Sequence, residues 1–456
     1  MNTLTNYTGL IYGIAALVFA ALIAFTMTPV ARVLAFRIGA VDVPRDNRRM
    51  HKTPIPRMGG FAIYFAFTVT TLLFCEYTPQ MTALWFGGLI LCVLGIFDDV
   101  FQLNSWMKLI VQIAVAFIAV WQDVTIEFIN FFGTYFTLGW LEIPVTVFWI
   151  VGLTNAINLI DGLDGLSCGV SAICSLSLLL VTLTMADTSS ALLTAILVGS
   201  CVGFLPFNTN PAKIFMGDTG ALFLGYTLAL LSIGGVFKLH TLMSFLIPLS
   251  IFGLPLFDTA FAFLRRIFTG KNPFKGDRGH IHHRLIDMGF NQKQTVGILY
   301  AVCGILGISA LMFTSEHLEK AGIIILLGFA IFAINFFIIR NPRTRELAGI
   351  KLPPMDECAH AKKADEAKSD SAKTDEVKTD NAKTDEVKAD ETKTEEAKSV
   401  ETAADKSDAD SSDEVKPETT DKTKATEESD AENTEKAPHK NSENNKKKPF
   451  SKKQKK

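Results

Sequence analysis

Charge is scarce where this chain is apolar, and apolarity is scarce where it is charged. Residues 1–350 are dense in Leu, Ile, Phe, Val, Ala and Gly, whereas residues 352–456 are almost wholly Lys, Asp, Glu, Thr, Ser and Ala. The formal net charge of −2 is a sum over these two regimes and singles out no partner class. Paired cysteine spacing is also missing. Seven Cys is an odd number, and Cys75, Cys92, Cys168, Cys174, Cys201 and Cys303 lie in or beside apolar segments. That excludes a disulfide framework or a zinc site and leaves them as small buried apolar residues. The first apolar run lacks a basic segment before it and continues too far for a short signal core, so no cleavable signal is expected.

What is present is hydrophobic length. The chain is 49% hydrophobic with 35 Phe, and a spanning helix needs about 20 mostly apolar residues. Eleven segments qualify, near residues 8–33, 59–75, 82–97, 106–121, 143–158, 167–185, 190–206, 219–237, 242–264, 294–313 and 321–339. The expected fold class is therefore all-α, a polytopic membrane helix bundle of about 11 transmembrane helices. Trp and Phe at helix ends read as interface anchors.

Loop charge sets the expected orientation. Loop 34–58 carries Arg37, Arg45, Arg48, Arg49, Lys52 and Arg57, and loop 265–293 carries Arg265, Arg266, Lys271, Lys275, Arg278, Arg284 and Lys293. The alternate loops hold only Lys238 and Lys320. The N-terminus is thus expected outside a plasma membrane, with the basic loops and the C-terminus cytoplasmic. In the longest outer loop, 122–142, the alternation around Thr125–Ile129 and Tyr135–Leu138 predicts a small β-hairpin.

Membrane-edge charges are costly and ask for a reason. Here they collect in four places: Asp98-Asp99, Asn158 to Gly165 with Asp161 and Asp164, Asn208 to Asp218, and His280-Ile281-His282-His283-Arg284. The expected topology puts all four on one side. Carboxylates gathered there repel one another and need a cation or a basic partner. Hard oxygen donors suit Mg²⁺ or Mn²⁺. Lys52, Arg57, Lys108, Lys213 and Arg284 can hold phosphate charge, and glycines at 162, 165, 217 and 220 let backbone approach a ligand. Acidic metal site, basic rim and glycine turns together describe phosphoryl transfer from a nucleotide-linked donor to a lipid acceptor. Each motif alone has a plainer reading. Asp98-Asp99 can be a solvated helix end, Asp161 and Asp164 turn-formers, the histidines a zinc site or a loop, and Asp258 a partner of Arg265 or of a helix-end backbone.

The motifs Pro56-Arg57-Met58-Gly59-Gly60, Asp98-Asp99, Asn155 to Gly165, Phe207 to Gly220 and His280 to Leu285 resemble the polyprenyl-phosphate N-acetylhexosamine-1-phosphate transferases, over about residues 5 to 345. One branch of that family transfers phospho-MurNAc-pentapeptide and typically carries three consecutive His. The sequence His-Ile-His-His-Arg and the short loop 270–293 look like the GlcNAc-1-phosphate branch of teichoic-acid and related glycan synthesis instead. The resemblance implies the substrates UDP-GlcNAc and undecaprenyl phosphate. It implies Asp218 and Asp161 as Mg²⁺ ligands, and Asp98 facing the lipid phosphate as base or positioner with Asp99 beside it. Asp161 and Asp164 would lie in the uridine and metal region, Phe215 on uracil, and Lys108 on the phosphates. His282 and His283 would meet the diphosphate or sugar, with Arg57, Lys52, Asn158, Asn208, His280 and Arg284 as further substrate contacts. The lipid bilayer is a partner, a homodimer is an open option, and no nucleic acid is expected.

Two rival classes predict different features. A transporter predicts inverted repeats and midplane charges, and residues 1–350 carry no such repeat. A scaffold for the tail leaves the four motifs unexplained. In the tail, Ala372-Lys373-Thr374-Asp375-Glu376-Val377-Lys378 recurs at 382–388 without an apolar stripe. Residues 351–456 are therefore expected to be a disordered cytoplasmic segment outside a transferase domain at 1–350. Its last stretch, from Lys440 to Lys456, is basic enough to touch anionic lipid.

Overall fold

A computed structural model describes residues 2–43, 53–131, 134–185, 187–237, 245–270 and 279–314, with 322. The expected span at 321–339 and the charged tail lie outside the described residues, as does Lys52. The described residues are mostly helical. Helix α1 (Asn2–Ile38) leads through a two-residue pair of strands, β1 (Val41–Asp42) and β2 (Ile55–Pro56), to α2 (Gly59–Phe74). A short α3 (Pro79–Thr82) continues through a π-helical turn at Ala83–Gly87 into α4 (Gly88–Phe101). Thr78 starts this unit by accepting from the Met81 N–H, with Pro79 in the first turn where its missing N–H costs nothing. Gln102, in the left-handed region at φ 53°, stops it.

Helix α5 (Ser105–Trp121), capped by Asn104, runs back to the far end of the bundle. There β3 (Phe128–Phe131) pairs antiparallel with β4 (Thr134–Thr137), Phe128 opposite Thr137. The expected hairpin is thus present. Then come α6 (Glu142–Leu159), α7 (Leu166–Thr184), α8 (Thr188–Asn208) and α9 (Gly217–Ser232) with a π turn at Ile233–Phe237. The described part closes with α10 (Leu246–Ile251), α11 (Gly253–Phe268), α12 (Ile281–Asp287) and α13 (Gln292–Thr314).

Seven of these helical units are long and apolar enough to cross a membrane, and Gly59–Phe74 and Ser105–Trp121 are shorter apolar helices. The expected single span at 242–264 is instead broken at Phe252. The reason is Pro255, which has no N–H to offer the Ile251 carbonyl four residues back. That carbonyl accepts from the Cys174 thiol at 3.2 Å instead.

Burial orders the bundle. The apolar window of α9 and its π turn is 94% buried, that of α1 only 17%. A helix apolar all round belongs at the centre, and α9 is packed against α6, α4 and α2. Peripheral α1 touches its neighbours through one seam of small residues, Ala16, Ala20, Ala24, Thr28, Ala31 and Ala35, each fully buried. Opposite lie Gly199 and Gly203 of α8, against the Leu17 and Ala21 carbonyls. Small residues let helix backbones approach where lipid removes any hydrophobic drive between helices.

Candidate active site

The site forms where the C-terminal ends of α4, α6 and α8 meet the N-terminal ends of α5, α7 and α9. Asp98 and Asp99 are adjacent on the last turn of α4 and so point about 100° apart. Asp98 turns towards α5. Its Oδ1 accepts from the Leu103 N–H at 2.8 Å and its Oδ2 from Lys108 Nζ at 3.0 Å. The same ammonium donates to Asp218 Oδ2 at 2.8 Å, and Asn158 Nδ2 reaches that oxygen at 3.3 Å. One turn further into the bundle, Asn155 Nδ2 donates to Gln112 Oε1 at 2.6 Å. Lys108 and Gln112 are four apart on α5, and Asn155 and Asn158 three apart on α6, so each pair shares a face. The amide pair thereby clamps the two helices that deliver Lys108 and Asn158.

Asp99 turns the other way, against α9. Its carboxylate accepts from the Asp218 N–H at 3.1 Å, the Thr219 N–H at 3.2 Å and Thr219 Oγ1 at 2.8 Å, with Arg57 Nε at 3.9 Å. It caps the first turn of α9 from another helix, answering donors the helix cannot satisfy itself. The expected catalytic pair thus divides: Asp98 is open to Lys108, and Asp99 is committed to backbone. Gly217 permits this close approach. It sits at φ 72°, and a Cβ there would collide with the Arg57 carbonyl and both Asp99 oxygens. The Pro56–Gly60 motif is joined to the same loop: Phe215 N–H donates to Pro56 O at 2.8 Å, Gly59 N–H to Phe215 O at 2.9 Å, and Gly60 N–H to Met216 O at 2.9 Å.

The Asp161–Gly165 loop is pinned on its far side. Asp164 Oδ2 accepts from Asn210 Nδ2 at 2.9 Å and the Ala212 N–H at 3.1 Å, while Tyr300 of α13 donates to the Gly165 carbonyl at 2.5 Å. Asp164 therefore ties two motif loops together. Asn208, expected as a substrate contact, is buried and gives its amide to the Ile214 carbonyl at 3.0 Å, closing the 208–214 turn. Asp161 is half-buried in this loop. Burial, then the Asp218 charge, pushes its pKa up to about 8 against the pull of Arg57.

The histidine segment approaches the same loop from α12. A Cβ on Gly162 would strike His282 Nε2, so ring and loop are in contact. His282 is 2% exposed and neither ring nitrogen has a hydrogen-bond partner. Burial, with the neighbouring His283, holds its pKa down at about 4, so the ring is neutral at pH 7. His280 lies parallel to it at 5.8 Å, and His283 is 4.2 Å away, tilted. Arg284 is exposed, 5.2 Å over the Phe261 ring. Phe215 is partly exposed beside the Pro56–Gly60 strand pairing, and Lys213 sits 5.9 Å over Phe207.

Several residues of this centre carry no role in the sequence reading. Thr219 and the Gln112–Asn155 pair are visible in sequence only as polar residues inside apolar runs, which is a signal in membrane helices. Asn210 and Tyr300 carried no such mark. Asp258 meets His280 and the α12 backbone, not Arg265.

Metal chemistry can be tested against the donors. Among the described residues no group of three or more His, Cys, Asp or Glu is arranged to hold a metal ion alone. Mg²⁺ needs no such cage, since it keeps waters and binds through one or two carboxylates plus substrate phosphates. Among the described residues, Asp98, Asp99, Asp161 and Asp218 interact with only Arg57 and Lys108 as countercharges. Ionised, that set carries a formal excess of two negative charges. The donor set therefore fits a hard divalent cation brought with a diphosphate. A lysine bridging two carboxylates thus stands beside an acidic loop and a neutral imidazole at one end of the helix bundle, groups able to hold and position phosphate.

Residues 81–236 match the model of glycosyl transferase family 4. The chain is 42% identical over 305 residues to the probable undecaprenyl-phosphate N-acetylglucosaminyl 1-phosphate transferase of Bacillus subtilis (strain 168), covering 66% of this chain and 85% of the relative. It is 32% identical over 323 residues to the decaprenyl-phosphate N-acetylglucosaminephosphotransferase of Mycobacterium leprae (64% and 81% covered). It is 36% identical over 301 residues to the phospho-N-acetylmuramoyl-pentapeptide-transferase of B. subtilis (58% and 86% covered). The chain belongs to this family, the polyprenyl-phosphate N-acetylhexosamine-1-phosphate transferases of glycosyl transferase family 4.

Proposed function

We propose that the chain transfers GlcNAc-1-phosphate from UDP-GlcNAc to undecaprenyl phosphate, giving undecaprenyl-diphospho-GlcNAc and UMP, the first step of teichoic-acid or another cell-envelope glycan. The observation that carries it is Lys108 held between Asp98 and Asp218, at 3.0 and 2.8 Å. The helices that supply it expose Phe97, Phe101 and Trp106 nearby, an apolar flank suited to a lipid acceptor. The GlcNAc donor is supported by the 42% identity to the B. subtilis relative, against 36% over a smaller share of this chain for the muramoyl-pentapeptide enzyme.

The reaction forms a bond from a lipid phosphate oxygen to the sugar-bearing phosphorus and breaks that phosphorus's bond to the bridging oxygen, which leaves on UMP. A phosphate monoester is largely ionised at neutral pH, its second pKa being about 6. A general base therefore contributes less than positioning. Lys108 holds phosphate oxygens, Asp98 fixes Lys108, and Asn158 orients Asp218. Neutral His282 can donate a hydrogen bond to a phosphate or sugar oxygen without adding charge. Asp218, with Asp161, would hold Mg²⁺ (or Mn²⁺), which when bound neutralises charge on the diphosphate. The site is proposed on the cytoplasmic side of the plasma membrane, with the N-terminus and the β3–β4 hairpin outside.

The test is UMP release by purified protein in detergent with polyprenyl phosphate. Release from UDP-GlcNAc, abolished by EDTA and restored by Mg²⁺, is the expected result. Release from UDP-MurNAc-pentapeptide alone would move the chain to the other branch.

A further inference from the structure

No hydrogen bond holds the His282 ring in place. Both its nitrogens are buried without a hydrogen-bond partner, so its position against Gly162 comes from the backbone of α12 and from packing against the His280 and His283 rings. α12 is only seven residues long and cannot orient itself. Its start is fixed by Asp258, one turn into α11 and 4% exposed. Asp258 Oδ1 accepts from the Ile281 N–H at 2.9 Å, and Oδ2 lies 3.0 Å from His280 Nδ1. Arg265 adds a weaker bond to the Gly279 carbonyl at 3.3 Å. A buried carboxylate with both oxygens on one two-residue segment does more than fill space. Because a carboxylate accepts, it calls for a proton on Nδ1.

We propose that Asp258 is the positioning residue of the histidine segment: it sets the His280 tautomer and the α12 backbone, and through the His280 ring it places His282 on the Asp161–Asp164 loop. The inference rests on the transferase reading for its consequence and on geometry alone for its cause. Asp258→Asn separates the two. An Asn oxygen can still accept from Ile281, but its amide must donate to His280 Nδ1 and so moves the ring proton to Nε2.

The experiment compares full-length wild type, Asp258→Asn, His280→Gln and the double variant in detergent. It measures kcat and KM for UDP-GlcNAc, the unfolding midpoint, and ring ¹⁵N shifts of histidine-labelled protein, with His280 assigned by its loss in His280→Gln. Wild-type His280 is expected protonated at Nδ1. Asp258→Asn should keep the wild-type midpoint, shift the proton to Nε2 and lower kcat about 10- to 100-fold, as outer partners of functional imidazoles do. The double variant should be no slower than His280→Gln. Wild-type kcat in Asp258→Asn, multiplicative losses in the double variant, or a wild-type His280 protonated at Nε2 each overturns the proposal; the last applies even if Asp258→Asn does not fold. The tautomer is read without substrate, so failure of the transferase reading shows separately, as wild-type protein that releases no UMP.

Discussion

On the carboxylate side of the site, charged oxygens are already answered by protein donors. Asp98 and Asp218 share Lys108, Asp99 takes three donors from α9, and Asp164 takes two from the 210–212 segment. On the histidine side, His282 is as deeply buried and has no donor or acceptor at either nitrogen. A buried polar group without a partner costs about 1–3 kcal/mol. The first region is charge held in place by protein donors. The second is a buried imidazole placed by packing alone.

The largest way to break the contrast is at its anionic centre. Asp218→Ala should lower UMP release about 10³-fold or more, since it removes an electrostatic anchor and leaves Lys108 with one partner. Asp98→Asn should retain measurable turnover, slower by no more than about 100-fold, because the acceptor phosphate needs little deprotonation. Single-turnover assays at saturating UDP-GlcNAc order the two; Asp98→Asn as inactive as Asp218→Ala would make Asp98 an obligatory base. Next is the α9 cap. Gly217→Ala forces a left-handed alanine against Asp99 and should destabilise the fold by about 2 kcal/mol or more, read as a lower unfolding midpoint.

The smallest effect is the pH dependence of metal-free protein. Asp161 has a folded pKa of about 8 against an ordinary 3.8. A raised carboxyl binds its proton more tightly in the folded state. Its stabilising contribution is full below about pH 4 and is lost as pH rises through 8. The unfolding midpoint in EDTA should fall over that window, and Asp161→Asn or added Mg²⁺ should flatten the fall. A flat wild-type profile would mean that burial and the Asp218 charge do not hold the Asp161 proton.

Much of this site was legible as composition. Four polar motifs in an apolar chain announce that they meet, because membrane-edge charge is otherwise too costly. The hairpin followed from alternation, although its strands start at Phe128 and Thr134. What each carboxylate does was not legible. Asp98 and Asp99 are the same residue type at adjacent positions, and only the direction of the α4 face decides that one meets Lys108 and the other caps α9. The same holds for Asp258, whose partner is 22 residues away across a loop. The break at Phe252 was signalled by Pro255, but the thiol that takes over the freed carbonyl comes from α7.

The alanine seam of α1 bears on how the protein is made. The α1 turn around Leu17, Ala20 and Ala21 meets its glycine counterparts at Gly199 and Gly203, most of the bundle later in the chain. A ribosome delivers α1 to the membrane long before α8 exists. During that interval its outer face suits lipid, while its small-residue groove faces whatever is nearby. The seam closes only when α8 inserts, so a helix made well before its partner is locked late.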